Sequence, residues 1–141
     1  MEHMTREEMD RKIDEHFDFE LRDDVEGVLT TLAADVEHDI VGLPTGPAHG
    51  REAARAFYES LFADLADGKV RSTRRYYGEG FMVDESIWSG RAVGRPFGLE
   101  GRDRPIEFRL LHVIEFTSGG DIRRENVWID FPSLIAQLPQ N

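Results

Sequence analysis

Between Arg104 and Asp130 the sequence alternates between apolar and polar residues in two long runs, which are joined by a turn containing two glycines. Alternation with a period of two is typical of β-strands that bury one face, so this segment predicts an antiparallel hairpin. A histidine stands in the middle of the apolar row of the first strand, and a titratable ring in that setting needs a partner or a cavity. The row consists of Ile106, Phe108, Leu110, His112, Ile114 and Phe116.

The second strand of the hairpin carries polar residues on the same face as its first apolar residue, Ile122. Counting in twos from Ile122 places Asn126, Trp128 and Asp130 on one face, and Val127 and its alternates on the other. We predict that the face with the amide, the indole and the carboxylate looks inward, beside His112. The hairpin would then line a pocket.

The rest of the chain predicts helices first and strands afterwards. Two consecutive helices are expected, at Met9–Leu21 and Val25–Leu32, with a break near residues 21–24, and a third helix is expected to end at Asp67-Gly68. This order indicates the α+β class, with a cone-shaped curved sheet, antiparallel or mixed, wrapped by the N-terminal helices. The remaining expected elements are strands at Val36–Val41, Val70–Tyr77 and Phe81–Val93 and a short helix at Pro132–Leu138.

Length and composition limit the possible functions. The 141 residues predict a single domain, 1–141, whose first ten residues are expected to be frayed or disordered. A net charge of −11 argues against binding nucleic acid, and the absence of cysteine excludes thiol catalysis and disulfides. No apolar run approaches the ~20 residues of a membrane span, so no membrane partner and a cytoplasmic location are expected. The histidines lack HxH or HExxH spacing, so no metal is expected.

From about Arg11 onward, the chain resembles the nuclear transport factor 2-like superfamily and, within it, the SnoaL-like polyketide cyclases. The resemblance rests on Trp88-Ser89-Gly90, Gly94, Phe97-Gly98, Pro105, Phe108-Arg109, Phe116, Gly120, Ile122, Glu125, Trp128, Asp130 and Gln137-Leu138, and earlier on His38-Asp39-Ile40-Val41-Gly42, Gly50 and Phe57-Tyr58. It implies a cystatin-like α+β barrel and a homodimer. It also implies an intramolecular aldol condensation of a carbonyl or polyketide-like substrate, with no metal and no cofactor.

The resemblance also assigns roles to residues. It implies that Asp130, on the last strand, is the acid/base residue, and we expect His112 to be its partner and Asn126 a hydrogen-bond donor to an enolate oxygen. Further residues are expected to contact a small, mostly apolar substrate. These are Phe17, Tyr58, Trp88, Trp128 and Arg109.

Three other interpretations stay open. The steroid isomerase branch carries its catalytic aspartate in a setting like that of Asp39, which makes Asp39 or its neighbour His38 a second candidate, although only one of the two can face the cavity. An epoxide hydrolase would use an arginine flanked by carboxylates, for which Arg109 and Asp130 are candidates. The last interpretation is a non-catalytic ligand-binding or assembly protein, in which the polar groups of the pocket only satisfy one another.

Overall fold

The computed structural model describes residues 3–141 and folds them into four α-helices, one 3-10 turn (Pro96–Gly98) and six strands. The helices are α1 (Arg6–Leu21), α2 (Val25–Thr30), α3 (Arg51–Asp64) and α4 (Phe131–Gln137). The strands are β1 (Leu32–Ile40), β2 (Ala48–His49), β3 (Leu65–Gly78), β4 (Phe81–Ala92), β5 (Arg104–Phe116) and β6 (Ile122–Ile129).

Local sequence signals fix the start and the end of the first helix. The Thr5 hydroxyl accepts a hydrogen bond from the Glu8 backbone N–H at 3.1 Å, and the Glu8 carboxylate accepts one from the Thr5 N–H at 3.0 Å, which forms a capping box. Residues 6–10, expected to fray, are therefore helical, while residues 1 and 2 lie outside the described part. The predicted break between α1 and α2 is confirmed, because Asp23 takes a positive φ of 54° and Asp24 caps α2.

All six strands form one curved, unclosed sheet in the order β2-β1-β6-β5-β4-β3. Neighbouring strands run antiparallel except β1 and β6, which are parallel, so the sheet is mixed. The element boundaries differ most from the prediction at two places in the chain. The third helix ends at Asp64 and β3 begins at Leu65, because strand pairing with β4 extends to Leu65 opposite Ala92. The first strand begins at Leu32, which pairs with Ile122 of β6, rather than at Val36.

A register shift near the start of β6 determines which of its residues face inward. Glu115 pairs with Arg124, but the next residue of β5, Phe116, pairs with Ile122, so Arg123 is one residue more than the pairing requires. An extra residue of this kind reverses the inward and outward alternation that follows it. Ile122 is buried in the core, and beyond the shift the inward row continues with Glu125, Val127 and Ile129 rather than with even-numbered residues.

The main core lies between α1, α2, α3 and the sheet. The buried residues of this cluster are Met9, Ile13, Phe17, Val28, Leu29, Leu32, Val36, Ala54, Tyr58, Met82, Ile114, Phe116 and Ile122. A smaller apolar cluster around Phe108 and Leu134 packs α4 against the other end of β5. Within residues 3–141, no helix has the length and apolar character needed to cross a membrane.

Ile114→Ala tests the packing of the main core. Ile114 is fully buried, so truncation should lower the free energy of unfolding by about 2–5 kcal/mol, through lost burial and the cavity that remains. Urea denaturation followed by circular dichroism measures the change. Ile135→Ala, at a side chain that is 51% exposed, is the control and should change it by less than about 0.5 kcal/mol. Equal losses in the two variants would contradict the assignment of Ile114 to the core.

Candidate functional site

A cavity of about 360 Å³ lies between the C-terminal half of α1, the inner face of α3 and the sheet. Most of its wall is apolar, with aromatic side chains from several elements. Its polar side chains include Glu20 of α1, Tyr58 of α3 and three residues of adjacent strands, His38, Glu125 and His112, together with Arg22, Asp23 and Asp67. A mostly apolar cavity of this size with a few convergent polar groups is typical of a small-molecule site.

His112 lies in the wall of the cavity and is backed by a buried carboxylate. Strand pairing places Asp84 of β4 directly opposite His112 of β5, and His112 Nδ1 is 3.4 Å from Asp84 Oδ1. The imidazole also packs against Phe17, with 4.9 Å between the ring centroids. A carboxylate at Nδ1 favours the tautomer that carries its proton there, which leaves Nε2 as the nitrogen able to accept a proton.

Asp84 is in turn held by groups on β3. Its Oδ2 accepts hydrogen bonds from Ser72 Oγ at 2.6 Å and from Arg75 Nε at 2.8 Å, and Arg75 also pairs with Asp10 and Asp14 of α1. Burial alone would raise the pKa of Asp84, but its interactions with His112, Ser72 and Arg75 lower that pKa to about 2. Asp84 is therefore a fixed negative charge behind His112.

Glu125 of β6 is the centre of a second polar group, at the floor of the cavity. Its Oε1 accepts a hydrogen bond from the Tyr58 hydroxyl at 2.8 Å and lies 3.2 Å from His38 Nε2, while its Oε2 lies 3.0 Å from His16 Nε2. Burial alone would raise the pKa of Glu125, but the charge of His16 beside it lowers the pKa well below its usual value. The floor therefore contains an ionised, almost fully buried carboxylate.

His16 carries a positive charge in this arrangement. The Thr31 hydroxyl donates to the Val28 carbonyl at 2.6 Å and therefore accepts at 2.7 Å from His16 Nδ1, which must carry a hydrogen. On the other side of the ring, Nε2 is 3.0 Å from both Glu20 Oε1 and Glu125 Oε2. Burial alone would lower the pKa of His16, but the two carboxylates raise it to about 10.

Five of the residues predicted to form the site line the cavity. They are Phe17, His38, Tyr58, Trp88 and His112. Of the two neighbours His38 and Asp39, it is His38 that faces the cavity, while Asp39 lies on the opposite face of β1, as strand alternation requires. The structure fixes these positions, and the catalytic role of each residue stays a prediction.

The other predicted residues lie elsewhere, and the predicted inward face of β6 is corrected. Because of the extra residue Arg123, Asn126, Trp128 and Asp130 follow the outward alternation. Trp128 is 42% exposed, and Asn126 is buried beside Arg124 and Glu37.

Asp130 takes part in a local structure at the end of β6. Its carboxylate caps α4 by accepting a hydrogen bond from the Ser133 N–H at 3.3 Å and lies 3.7 Å from Arg109 Nη2. Arg109 itself is highly exposed on the outer face of the sheet. Neither residue is among those that line the cavity.

Sequence reasoning missed His16, Glu20, Asp84 and Glu125. Signals for them were present. His16 and Glu20 continue the helical spacing of Ile13 at three and seven residues, so they belong to the buried stripe of α1. Glu125 shares a strand face with the apolar residues Val127 and Ile129, and Asp84 shares one with Met82. The prediction did not assign either face to the wall of the pocket.

Asp84→Asn tests the fixed charge behind His112. In the folded chain the pKa of Asp84 is about 2, below its ordinary value of 3.8, so the ionised form stabilises the fold above that ordinary value by about 2 kcal/mol. This contribution is lost as the pH falls through about 2. The deficit of the variant in free energy of unfolding should therefore be largest near pH 6 and shrink toward pH 2.5, as measured by urea denaturation.

The control for this measurement is Asp35→Asn, at an exposed carboxylate of β1. It should change the free energy of unfolding by less than about 0.5 kcal/mol at pH 6. A deficit of Asp84→Asn that stays the same from pH 6 to pH 2.5 would show that Asp84 is not held ionised.

Solved structures share this fold at low sequence identity. A candidate polyketide cyclase from Xanthomonas campestris pv. campestris is 19% identical, with a TM-score of 0.82 over 94% of this chain and 97% of that one. An LEH-like epoxide hydrolase from M. tuberculosis is 15% identical, with a TM-score of 0.73 over 93% and 89%. SalBIII, an epoxide hydrolase/cyclase-like enzyme in pyran ring formation in salinomycin, is 14% identical, with a TM-score of 0.75 over 90% and 94%.

Among curated protein sequences, none matches the chain. The low identities to solved structures show that the fold is shared and leave the reaction open. The family comparison is more specific, because the SnoaL-like polyketide cyclase model matches residues 8–138, which is nearly the whole sequence. The chain therefore belongs to the SnoaL-like polyketide cyclase family.

Proposed function

We propose that this chain is an enzyme that carries out acid–base chemistry, without a cofactor, on a small and mostly apolar carbonyl compound, with His112 as the general base. The observation that carries the proposal is the pairing of His112 and Asp84 in the cavity wall, at 3.4 Å. A histidine whose second nitrogen is held by a buried carboxylate is a common general base in enzymes. The family's description as polyketide cyclases fits this chemistry.

In the proposed reaction, His112 Nε2 removes a proton from the carbon next to a carbonyl group. The electron pair of the broken C–H bond moves to the carbonyl oxygen and gives an enolate, while the imidazole becomes an imidazolium. Asp84 stabilises that positive charge because it stays ionised. The enolate carbon then attacks a second carbonyl in an aldol cyclisation or takes the proton back at another position in an isomerisation.

The developing negative charge on the enolate oxygen needs a hydrogen-bond donor. Tyr58 lines the same cavity, and burial together with the carboxylates of Glu125 and Glu20 raises its pKa well above the usual value, so its hydroxyl keeps its proton. That hydrogen is donated to Glu125 Oε1 at 2.8 Å, and we propose that it turns to the enolate oxygen when a substrate is bound. His38 is a second polar group at the floor, with its ring tilted by 44° against that of Phe57 at 4.4 Å between centroids and its Nε2 3.2 Å from Glu125 Oε1. Donors of this kind stabilise enolates most strongly where water is excluded.

The cavity restricts the substrate. Its volume of about 360 Å³ is near the lower end of the 300–1,000 Å³ range of small-molecule sites, which favours a compact compound. The aromatic wall formed by Phe17, Phe57, Trp88 and Phe108 suits flat or cyclic apolar groups. We therefore propose cyclic and aryl ketones, including polyketide-like compounds, as the substrate class.

A non-catalytic binding protein and an epoxide hydrolase are the two alternatives to this function, and each differs from it in a feature that can be checked. A non-catalytic binding protein would use the same cavity but would transfer no proton to or from its ligand. An epoxide hydrolase of the type considered above needs an arginine among carboxylates at the site. Of the described residues that line the cavity, one is an arginine, Arg22, and it pairs with Asp18 at 2.8 Å on the exposed end of α1. The floor, formed by histidine, glutamate and tyrosine, gives less support to that reaction.

Proton abstraction by His112 can be measured before the natural substrate is known. A panel of bicyclic and aryl ketones is incubated with the chain in D₂O, and exchange of the hydrogens next to the carbonyl is followed by ¹H NMR. His112→Gln should reduce the exchange rate at least ~100-fold, because a positioned general base contributes about 10²–10⁴-fold. Binding of the same ketones should persist, since the change keeps the size and polarity of the side chain.

The matched control is His49→Gln, which changes an exposed histidine on β2 outside the cavity and should leave the exchange rate unchanged. If His112→Gln exchanges as fast as the unchanged chain, His112 is not the base. Saturable binding of ketones without any exchange would favour the non-catalytic alternative.

We also propose that the outer face of the sheet packs against a second copy of the chain. Trp128 stands 42% exposed on this face, with half-buried Ile87 and Leu111 on the neighbouring strands. An exposed indole surrounded by apolar side chains at the centre of a sheet face is typical of protein interfaces. Two identical faces related by a two-fold axis can cover one another.

Light scattering coupled to size-exclusion chromatography tests this proposal. The unchanged chain should elute as a dimer, and Trp128→Glu should shift it to a monomer, because a carboxylate would be buried without a partner in the interface. Ile135→Glu, at an exposed side chain on α4 rather than on the sheet, is the control and should stay dimeric. A monomeric unchanged chain at all concentrations would show that the face is free.

A further inference from the structure

The floor of the cavity gathers three metal-ligating atoms that the proposed chemistry of His112 does not use. His16 Nε2 lies 3.0 Å from Glu20 Oε1 and 3.0 Å from Glu125 Oε2. The ligand atoms of these three residues all lie within 4.8 Å of one another. Ligands about 2.0–2.2 Å from a shared ion are separated by such distances, so the group has the dimensions of a metal site.

One of these atoms has no hydrogen-bond partner in the described part of the chain. Glu125 Oε2 is buried and accepts no hydrogen bond, although it lies 3.0 Å from His16 Nε2. A buried carboxylate oxygen without a hydrogen bond is costly. A cation placed between the imidazole and the two carboxylates would satisfy it.

The surrounding structure orients the three side chains as a metal site requires. His16 and Glu20 are four residues apart on α1, so they project from the same face of the helix, and Glu125 approaches from the middle of β6. The hydroxyl of Thr31 holds His16 Nδ1 at 2.7 Å. A hydrogen bond at one ring nitrogen is the usual way in which proteins orient a histidine that binds a metal through the other.

We propose that His16, Glu20 and Glu125 bind a divalent first-row transition-metal ion at the floor of the cavity. One imidazole nitrogen and two carboxylate oxygens are ligands that suit Zn²⁺, Fe²⁺, Co²⁺ and Mn²⁺. Three protein ligands leave coordination positions free for water or for an oxygen of a bound molecule, and the proposed chemistry of His112 does not require the ion. Glu20 and Glu125 line the cavity, so these positions open toward the bound molecule.

The competing occupant of this place is a proton. Without a metal ion, the hydrogen on His16 Nε2 lies between the two carboxylates, and the group is an ion pair buried beneath the cavity. A divalent ion would replace that hydrogen and add one positive charge to the cluster, so that two carboxylates would face two positive charges. Both states use the same side chains, and only a binding measurement distinguishes them.

The test uses the full chain, purified without a polyhistidine tag and stripped with EDTA. Co²⁺ is titrated while visible absorbance is recorded, because its d–d bands report coordination number and ligand type, and Zn²⁺ is titrated by calorimetry. We expect one ion per chain, with a Co²⁺ band that Zn²⁺ displaces. Glu20→Gln and Glu125→Gln should each weaken binding at least ~10-fold, since even residues that only support metal ligands contribute about 10–100-fold.

The controls separate metal binding from the function proposed above and from loss of folding. Glu20 is partly exposed, so Glu20→Gln should fold even if Glu125→Gln does not, and circular dichroism checks both. His112→Gln changes a residue of β5 that contributes no ligand atom to the cluster and should bind Co²⁺ like the unchanged chain. The proposal would be overturned if the chain does not bind one ion per molecule, or if the folded Glu20→Gln variant binds as tightly as the unchanged chain. The cluster would then be a protonated ion pair only.

Discussion

The buried carboxylate of Glu125 is the interaction on which the interior of this protein depends. It joins β6 to three other elements through Tyr58 of α3, His38 of β1 and His16 of α1. An ionised group in such a place is costly unless its partners are present, and removing one partner of a buried ion pair typically costs about 3–5 kcal/mol. The helices are therefore held over the sheet by a polar group as well as by the apolar core. The cavity is the space that remains beside that group.

The two polar groups of the cavity differ in what they can do. In the proposed reaction, His112, with the single carboxylate of Asp84 behind it, accepts and returns a proton. His16 lies between two carboxylates and a hydroxyl, so its charge is fixed by its surroundings. In the proposed reaction, His112 transfers the proton while the fixed charge of His16 contributes electrostatic stabilisation.

Much of the fold and the inward position of His112 could be predicted from the sequence, but the carboxylate partner of His112 could not. The helical spacing of α1, the alternation of β5 and the inward position of His112 follow from local periodicity, which a single sequence displays. The predicted inward position of Asp130 is wrong because it assumed an unbroken alternation from Ile122. The extra residue Arg123 that reverses this alternation is visible only when β5 is paired with β6. The partnership of His112 with Asp84 likewise depends on strand register, which is set by contacts distant in sequence.

The extra residue in β6 determines which of its side chains face the cavity. With Arg123 present, a carboxylate and two aliphatic side chains face the cavity, while an amide, an indole and a second carboxylate face outward. Removing a single residue ahead of Glu125 would exchange the two rows, so that the interior chemistry would be displayed on the surface and the surface chemistry enclosed. Relatives that differ by one residue at this point can thus share a backbone and present different side chains to the cavity. Whether the extra residue before Glu125 is present is therefore the property to compare first between such proteins, before the identity of each residue.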